Sequence, residues 1–547
     1  MVWLSFHSLP KKLLSVLQAF LVYDTTVLDK LVKSYASLKT KAFKALDVSI
    51  SKFTKGKKVK VQKTTVLGST LGDWGKEKYG VKPKKVDAFE LYADRLTFLR
   101  EQIKEEQERA RSKHYASAFV TFKTRKSQVI ASHAMMSEDL SAWICQPAPQ
   151  PQEIIWNNLQ LRAWERDSRH KTYLVSYWVL VAFYMIPVSA AQVLISTNSL
   201  VGFLETIPIA SALLTAILPG LALRIFMILL PMIIVVMLRK AGCISASQVD
   251  HGLVSYIFIF QVVTVFIGSF IAGTFANQFE QLIKDPGSIV QIIGTAAPQT
   301  GIFFMTYLLV QACFEIPFDI FDVVGLIIFK AMLAIAATDS AKQRVLASKS
   351  NFNYGKMVPD DSMVFLLGLA FSIACPLIAP IALIYYGTRY LVNKYNLVYR
   401  IEEVYQSGGQ IWLRVFDQYI TGLVVFQLLM IFLLAIKEII GPPIIVLPLP
   451  FLTLAVGSSI RSKYTKPMSS LSLLCAEDRD RQEEHAQSLI EEEAYMSPSF
   501  TFDEKDHEDV INQCNVLKQA QETGDFSILA GLVGQDLEKQ EQEPLSS

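Results

Sequence analysis

The sequence predicts a polytopic α-helical membrane protein with a cytoplasmic α/β module at its N-terminal end. Three observations predict it. Mean hydropathy is +0.31 and 51% of the 547 residues are hydrophobic, gathered in long runs rather than dispersed. Charge is segregated: residues 1–172 carry 31 Lys/Arg against 17 Asp/Glu, residues 461–547 carry 8 against 19, and the stretch between is balanced. A strand-like alternation, SAFVTF at 117–122, lies between two charged helical stretches. These divide the chain into a basic soluble module (1–172), a membrane domain (173–460) and an acidic tail (461–547).

In the module, helical periodicity runs over Leu13–Leu38, a Lys-rich loop over 51–66, and a charged helix with many i,i+4 pairs over Val86–Ser112. The strand SAFVTF and a helix at Lys126–Met136 follow. SAFVTF resembles the aromatic core strand of an RNA-recognition motif, but no second aromatic strand accompanies it, so no nucleic-acid partner is predicted. A basic face beside anionic lipid is the simpler reading of the excess Lys and Arg. Residues 146–162, QPAPQPQEIIWNNLQLR, form a Pro-rich connector in which Trp156 suits an interfacial anchor.

Eight spans follow, at roughly 173–195, 211–237, 252–276, 301–327, 362–378, 380–397, 412–436 and 441–459, with Pro376 and Pro380 dividing the fifth from the sixth. Arg239 and Lys240, the lysines from Lys330 to Lys356, Arg389 with Lys394 and Arg400, and Arg461 to Lys466 fall on one set of connections. The opposite loops offer Lys284 and Lys437, so both termini are expected in the cytoplasm. The tail from Ser462 reads as largely disordered, with short helices at 476–494 and 506–522.

The fourth span, GIFFMTYLLVQACFEIPFDIFDVVGLIIFK, is the most informative stretch. Glu315, Asp319 and Asp322 are spaced i, i+4, i+7, and Gln311 continues their face by one turn. Intramembrane carboxylates are costly and face a bundle interior or a wet path, where a line of acceptors attracts cations. Pro317 predicts a kink. The second span carries Arg224, for which Asp319 and then Glu315 are the favoured partners. The third span presents Gln261 and Thr264 among small residues that permit close packing or line a pore. Six scattered cysteines form no CxxC pair or Cys/His cluster, so no metal site is predicted. No GxxxxGK[ST], HExxH, GxSxG or TVGYG sequence occurs, and neither an enzyme nor a cofactor is predicted.

AFVTFKTR at 118–125, AWICQPAPQPQEIIWNNLQL at 142–161, LPGLALRIFMILLP at 218–231 and FIGSFIAGTF at 266–275 resemble the hyperosmolality- and stress-gated calcium-permeable cation channels called OSCA. So do FLLGLAFSIACPLIAP at 365–380 and VFQLLMIFLLAIKE at 425–438. The resemblance implies a fold shared with anoctamins and TMC proteins, with eleven transmembrane helices and dimers in which each subunit has its own pore. It implies an RNA-recognition-motif-like cytoplasmic domain that serves dimerisation. It implies opening by membrane tension or osmotic stress, and passage of Ca2+, K+ and Na+, in a plasma-membrane setting. The pore helices would be those at 173–195, 211–237, 252–276, 301–327 and 362–378, with Arg224 and Asp319 falling on the family's basic and acidic pore positions. A phospholipid scramblase of the same fold is the alternative. The chain departs from the family in two ways. It is expected to lack three N-terminal helices, which makes a non-conducting or regulatory subunit a further reading. It also places Pro317 among bulky residues where the family has a small-residue hinge, so Pro317 or Gly325 would supply the bend.

Overall fold

In the computed structural model, residues 16–54, 63–66, 72–80, 82–134, 144–196, 230–269, 289–321, 323–335, 350–351, 354–402, 406–436, 441–482 and 494–500 are described, with isolated residues between 342 and 346 and between 511 and 519. The chain forms two compact units, each discontinuous in sequence. One comprises Met1–Gln18, Val120–Val323 and Lys349–Ile490; the other Ala19–Phe119, Val324–Ser348 and Glu491–Ser547.

The N-terminal elements are β1 (Val16–Tyr23), α1 (Thr26–Thr54), β2 (Lys63–Val66), α2 (Gly72–Tyr79), β3 (Lys84–Asp87), α3 (Ala88–Arg111) and β4 (His114–Phe122). The expected helix over Leu13–Leu38 is corrected: its first half is a strand. VLQAFLVY is apolar at both helical and strand spacings, and Asp24 ends it by accepting from the Thr26 N–H (3.1 Å) and Thr26 hydroxyl (2.7 Å). The α3 helix begins where Asp87 caps it, accepting from the Phe89 N–H at 2.8 Å. Leu28, Tyr35, Phe89, Leu96 and Ile103 knit α1 to α3. An RNA-recognition motif has one four-stranded sheet. The described strands here make two pairs, β1 with β4 and β2 antiparallel to β3.

The helices of the other unit are α4 (Arg125–His133), α5 (Trp156–Leu159), α6 (Ala163–Ser196), α7 (Ala246–Phe260), α8 (Ile289–Val310), α9 (Ile316–Phe321) and α10 (Val323–Ile335), the last running past the unit's boundary at Val323. After them come α11 (Tyr354–Ala370), α12 (Ile378–Tyr399), α13 (Gln410–Ile436), α14 (Gly441–Val446), α15 (Leu449–Ser469) and α16 (Leu473–Gln482). Three described helical stretches are long and apolar enough to cross a membrane: Ala246–Ile267, Gln410–Ile436 and Gly441–Gln482; Thr300–Cys313 is a shorter apolar one. The expected spans at 173–195, 380–397 and 412–436 fall within α6, α12 and α13, and the break at Pro376 falls in the turn between α11 and α12. Most of the second expected span, 211–237, lies outside the described residues.

The core of this bundle is aromatic and aliphatic, with Tyr177, Leu230, Phe260, Phe304, Tyr307 and Phe371 fully enclosed. α11 is central, packing on α7, α12 and α13. Small residues set these approaches: a Cβ at Gly355 would lie 2.6 Å from Leu253 Cγ, and one at Gly422 would lie 3.5 Å from Leu366 Cα. The outward faces are apolar, as at Leu383 and Ile445, 74% and 76% exposed.

The Pro-rich connector proves to be a clasp. Ile155 N–H donates to Ile244 O (2.8 Å), and Glu153 accepts from the N–H groups of Gln150 (2.9 Å) and Ser247 (3.0 Å). Asn158 Nδ2 donates to the carbonyls of Arg239 (2.8 Å) and Cys243 (2.7 Å). The connector thus closes around the turn that leads into α7. Gly242 makes that turn at φ +100°, a conformation disfavoured for residues with a Cβ.

Part of the acidic tail, α16, is seated against α4. Asp480 of α16 accepts from the N–H groups of Arg125 (2.9 Å) and Lys126 (3.0 Å), capping α4, and Lys126 Nζ reaches Glu477 at 2.9 Å. Lys126 and Arg481 hold the Glu477 carboxyl below its ordinary value, first through their hydrogen bonds to it.

Candidate functional site

Two helices in the bundle widen into π-helical turns, each starting at a glutamine: Gln261–Ile267 after α7, and Gln311–Glu315 after α8. The second has a local cause. Pro317 offers no N–H, and its ring crowds the carbonyl four residues back, at Cys313. Widening the preceding turn relieves this, and Ile316 N–H accordingly donates five residues back, to Gln311 O. The expected kink at Pro317 therefore takes the form of a π turn on its N-terminal side. In the first π segment, the Thr264 hydroxyl donates to Phe260 O at 2.7 Å, a back-bond that loosens a helical turn.

Both glutamines are buried, Gln261 at 1% and Gln311 at 2% exposure. Gln261 Nε2 donates to Asp360 of α11 at 2.7 Å, and Gln311 Nε2 to the Tyr307 hydroxyl at 3.3 Å. Each amide oxygen lacks a hydrogen-bond partner among the described residues. By contrast, Ser362 donates to Gln418 Oε1 (2.6 Å) and Gln418 Nε2 to Val254 O (3.0 Å), a closed chain of bonds joining α11, α13 and α7.

Two turns beyond Gln311 on the same helix stands Asp319. Its partner is Arg389 of α12, NH1 to Oδ2 at 2.9 Å, while Arg400 donates to the Asp319 backbone carbonyl at 2.9 Å. Arg389 is 4% exposed and faces a second carboxylate, Asp361 of α11, at 3.3 Å. Asp361 is itself held by the Tyr385 hydroxyl (2.8 Å), and its backbone carbonyl accepts from Tyr386 (2.6 Å). One guanidinium thus ties α9, α11 and α12 together.

In the other direction along the helices, Phe266, Phe304 and Phe371 pack as a triad. Phe266 stacks on Phe304 (centroids 6.1 Å, 20°), and Phe371 lies 5.2 Å from Phe304 and 6.0 Å from Phe266. Phe304, Tyr307, Gln311 and Asp319 are spaced by three, four and eight residues, so they descend one side of a single helical path. An apolar ring stands at one level and acceptors stand below it.

Of the residues singled out from sequence, the structure brings Gln261, Thr264, Gln311 and Asp319 into the bundle interior or its edge. Pro317 and Gly325 are half-buried. Arg224 and Asp322 lie outside the described residues, as does the Glu315 side chain. Among the described residues, Asp319 meets Arg389, a residue expected from sequence among the connection charges. Asp360 and Asp361 join the site because α11 begins at Tyr354, ahead of the span expected at 362–378, and takes both aspartates into the helix; Tyr307 joins it through Gln311.

Residues 171–434 match the sequence model of the family described as "Calcium-dependent channel, 7TM region, putative phosphate". Residues 8–158 match "Cytosolic domain of 10TM putative phosphate transporter". Among curated proteins, the chain is 28% identical over 447 residues to "Hyperosmolality-gated Ca2+ permeable channel 1.5" of Arabidopsis thaliana, covering 79% of this chain and 58% of that protein. It is 28% identical over 505 residues to channel 1.8 of the same plant, covering 89% and 60%. It is 25% identical over 411 residues to "CSC1-like protein ERD4" of Brassica juncea, covering 74% and 57%. The chain thus spans less than two thirds of the length of these relatives.

Proposed function

We infer, from the premise that the chain belongs to the OSCA family of hyperosmolality-gated calcium-permeable channels, that it contributes the ion pathway of a tension-gated, calcium-permeable, non-selective cation channel. The protein is an integral membrane protein of that family. The pathway is assigned to the helices at 173–195, 211–237, 252–276, 301–327 and 362–378, with Arg224, Glu315, Asp322 and Gly325 on it beside the residues described above. The termini and the 1–172 module are assigned to the cytoplasm, the membrane to the plasma membrane, and the assembly to a homodimer.

One observation carries this reading: a packed triad of phenylalanines stands along the same helices as two buried amides and the half-buried Asp319, and those helices are interrupted by π turns. An apolar constriction blocks ions by excluding water, and acceptors beside it favour cations. A π turn holds one residue more than the α-helix around it. Converting it to α would rotate everything beyond it by about 100°. In the Gln311–Glu315 segment, that rotation would swing Asp319 away from Arg389. Tension favours whichever state occupies the larger membrane area, so the Asp319–Arg389 pair serves as a closed-state tie.

The test is suction applied to patches of liposomes carrying the reconstituted protein in its full-length form, with Ca2+, K+ and Na+ exchanged in turn. Tension-evoked cation current is expected. Patches that stay silent up to rupture, with protein present and folded, overturn the reading. Headgroup transfer of a fluorescent lipid without current would assign the fold to scrambling instead.

A further inference from the structure

The tail carries a second seated segment, YMSPSF at Tyr495–Phe500, on the unit that contains α1 and α3. Phe500 packs on Tyr23, centroids 5.4 Å apart, and joins the Leu28–Tyr35–Phe89 core. Tyr495 stacks on Phe119 of β4 at 5.1 Å. Gln107 Nε2 donates to the carbonyls of Ser499 (3.2 Å) and Phe500 (3.4 Å). The Ser499 hydroxyl donates to Asp29 Oδ1, in the first turn of α1. Ser497 and Ser499 are 9% and 8% exposed.

We propose that Ser499 is a phosphorylation site, and that the modification ejects Tyr495–Phe500 from its seat. The seat has one polar requirement at this position: a hydrogen-bond donor facing a carboxylate. A serine hydroxyl meets it. A phosphoserine has no hydroxyl there and brings a near-dianion against Asp29, in a site with little solvent to screen it. Even in a water-like medium, two unit repulsions at about 4 Å shift the seated-to-released ratio about thirtyfold.

The reaction is phosphoryl transfer from ATP by a serine kinase. The bond between the γ-phosphorus and the bridging oxygen breaks, and ADP leaves with that electron pair. A bond from Ser499 Oγ to phosphorus forms, and the hydroxyl proton passes to the kinase's base. The acceptor must be presented on a released segment, because Ser499 is enclosed when seated. Release is accessible: the segment is a short turn with no helix or strand of its own, seated through side-chain contacts, the kind of segment that opens locally. The phosphate then opposes return, so a passing release becomes a lasting one.

The experiment uses the whole chain in lipid nanodiscs, with phosphoserine placed at 499 by nonsense-codon suppression. Hydrogen–deuterium exchange is read on peptides covering 494–500 and α1. Exchange of 494–500 is expected to rise about thirtyfold, as it should when Phe500→Ala removes the anchoring ring. Ser499→Asp adds one charge rather than two, so it should give about fivefold. An unchanged or slower rate in the phosphoserine chain overturns the proposal; slower exchange would mean that nearby Lys and Arg clamp the phosphate. So does phosphopeptide mapping that finds Ser499 unmodified in both resting and hyperosmotically stressed cells.

Discussion

Asp319→Asn removes one charge from the Arg389 cluster while keeping the side chain's size. A hydrogen bond between charged partners contributes about 1.5–3 kcal/mol. Asp319 is 32% exposed at its side chain, so solvent screens it and the lower end applies, about 1.5 kcal/mol. Arg389 keeps Asp361 at 3.3 Å, which limits the damage to the bundle. If the pair exists only in the closed state, the open-to-closed ratio at zero tension rises about tenfold. The half-activation pressure in reconstituted patches should therefore fall relative to wild type, with single-channel current in potassium changed far less. Arg389→Gln should shift the threshold the same way but lower thermal stability more, because it also leaves the half-buried Asp361 without its cation. The double variant should activate no more easily than Arg389→Gln alone, since both substitutions break one contact. A folded Asp319→Asn protein whose threshold is unchanged or higher would refute the closed-state tie. Additive shifts in the double variant would do the same.

Three further outcomes follow from the geometry. Phe304→Ser puts a hydroxyl into the aromatic triad and should give current without applied tension; patches as quiet as wild type would remove the triad as the seal. Gly355→Ala forces a methyl against Leu253 and should destabilise the solubilised protein by about 1–3 kcal/mol, read as a lower melting temperature, with Leu253→Ala restoring part of the loss. Asp24 is held below its ordinary value of 3.8, first by the Thr26 hydroxyl. A depressed carboxylate stabilises above its unfolded pKa and loses that contribution as pH falls through the folded one. Asp24→Ala should thus cost about 0.5–1 kcal/mol at pH 7, and the gap to wild type should close in melting curves taken below about pH 4.

Local signals carried much of the fold. The helix expected over Val86–Ser112 runs from Ala88 to Arg111, because Asp87 caps one end and i,i+4 charge pairs support the rest. SAFVTF is a strand within His114–Phe122. Features that depend on distant partners stayed hidden. Arg389 looked like a connection charge, because Asp319 lies 70 residues away and nothing in the spacing links them. The Asx turn at Asp24 decides where β1 ends, yet the apolar run before it fits both periods. The π turns have no sequence period that separates them from an α-helix over five to seven residues; Pro317 announced a disturbance, and the structure shows its form.

The pattern of satisfied and unsatisfied polar groups bears on what the glutamines are for. Gln418 and Gln427 are as buried as Gln261 and Gln311, at 4% exposure each. Both have their amides engaged at each end: Gln418 with Ser362 and Val254, and Gln427 with Thr453 in both directions. These join helices and cost little. Among the described residues, the amide oxygens of Gln261 and Gln311 have no partner, at about 1–3 kcal/mol each. Leucine or methionine would fill a helix interface at either site without that penalty. The two uncompensated oxygens stand at the starts of the two π turns, on the side of the phenylalanine ring where Asp319 also lies. Acceptors that the protein leaves open, beside an apolar constriction, suit a lining that meets water and cations when the ring parts. On that basis Gln311→Met should raise thermal stability while reducing tension-evoked conductance; the same substitution raising both would make Gln311 a packing residue and move the pathway elsewhere.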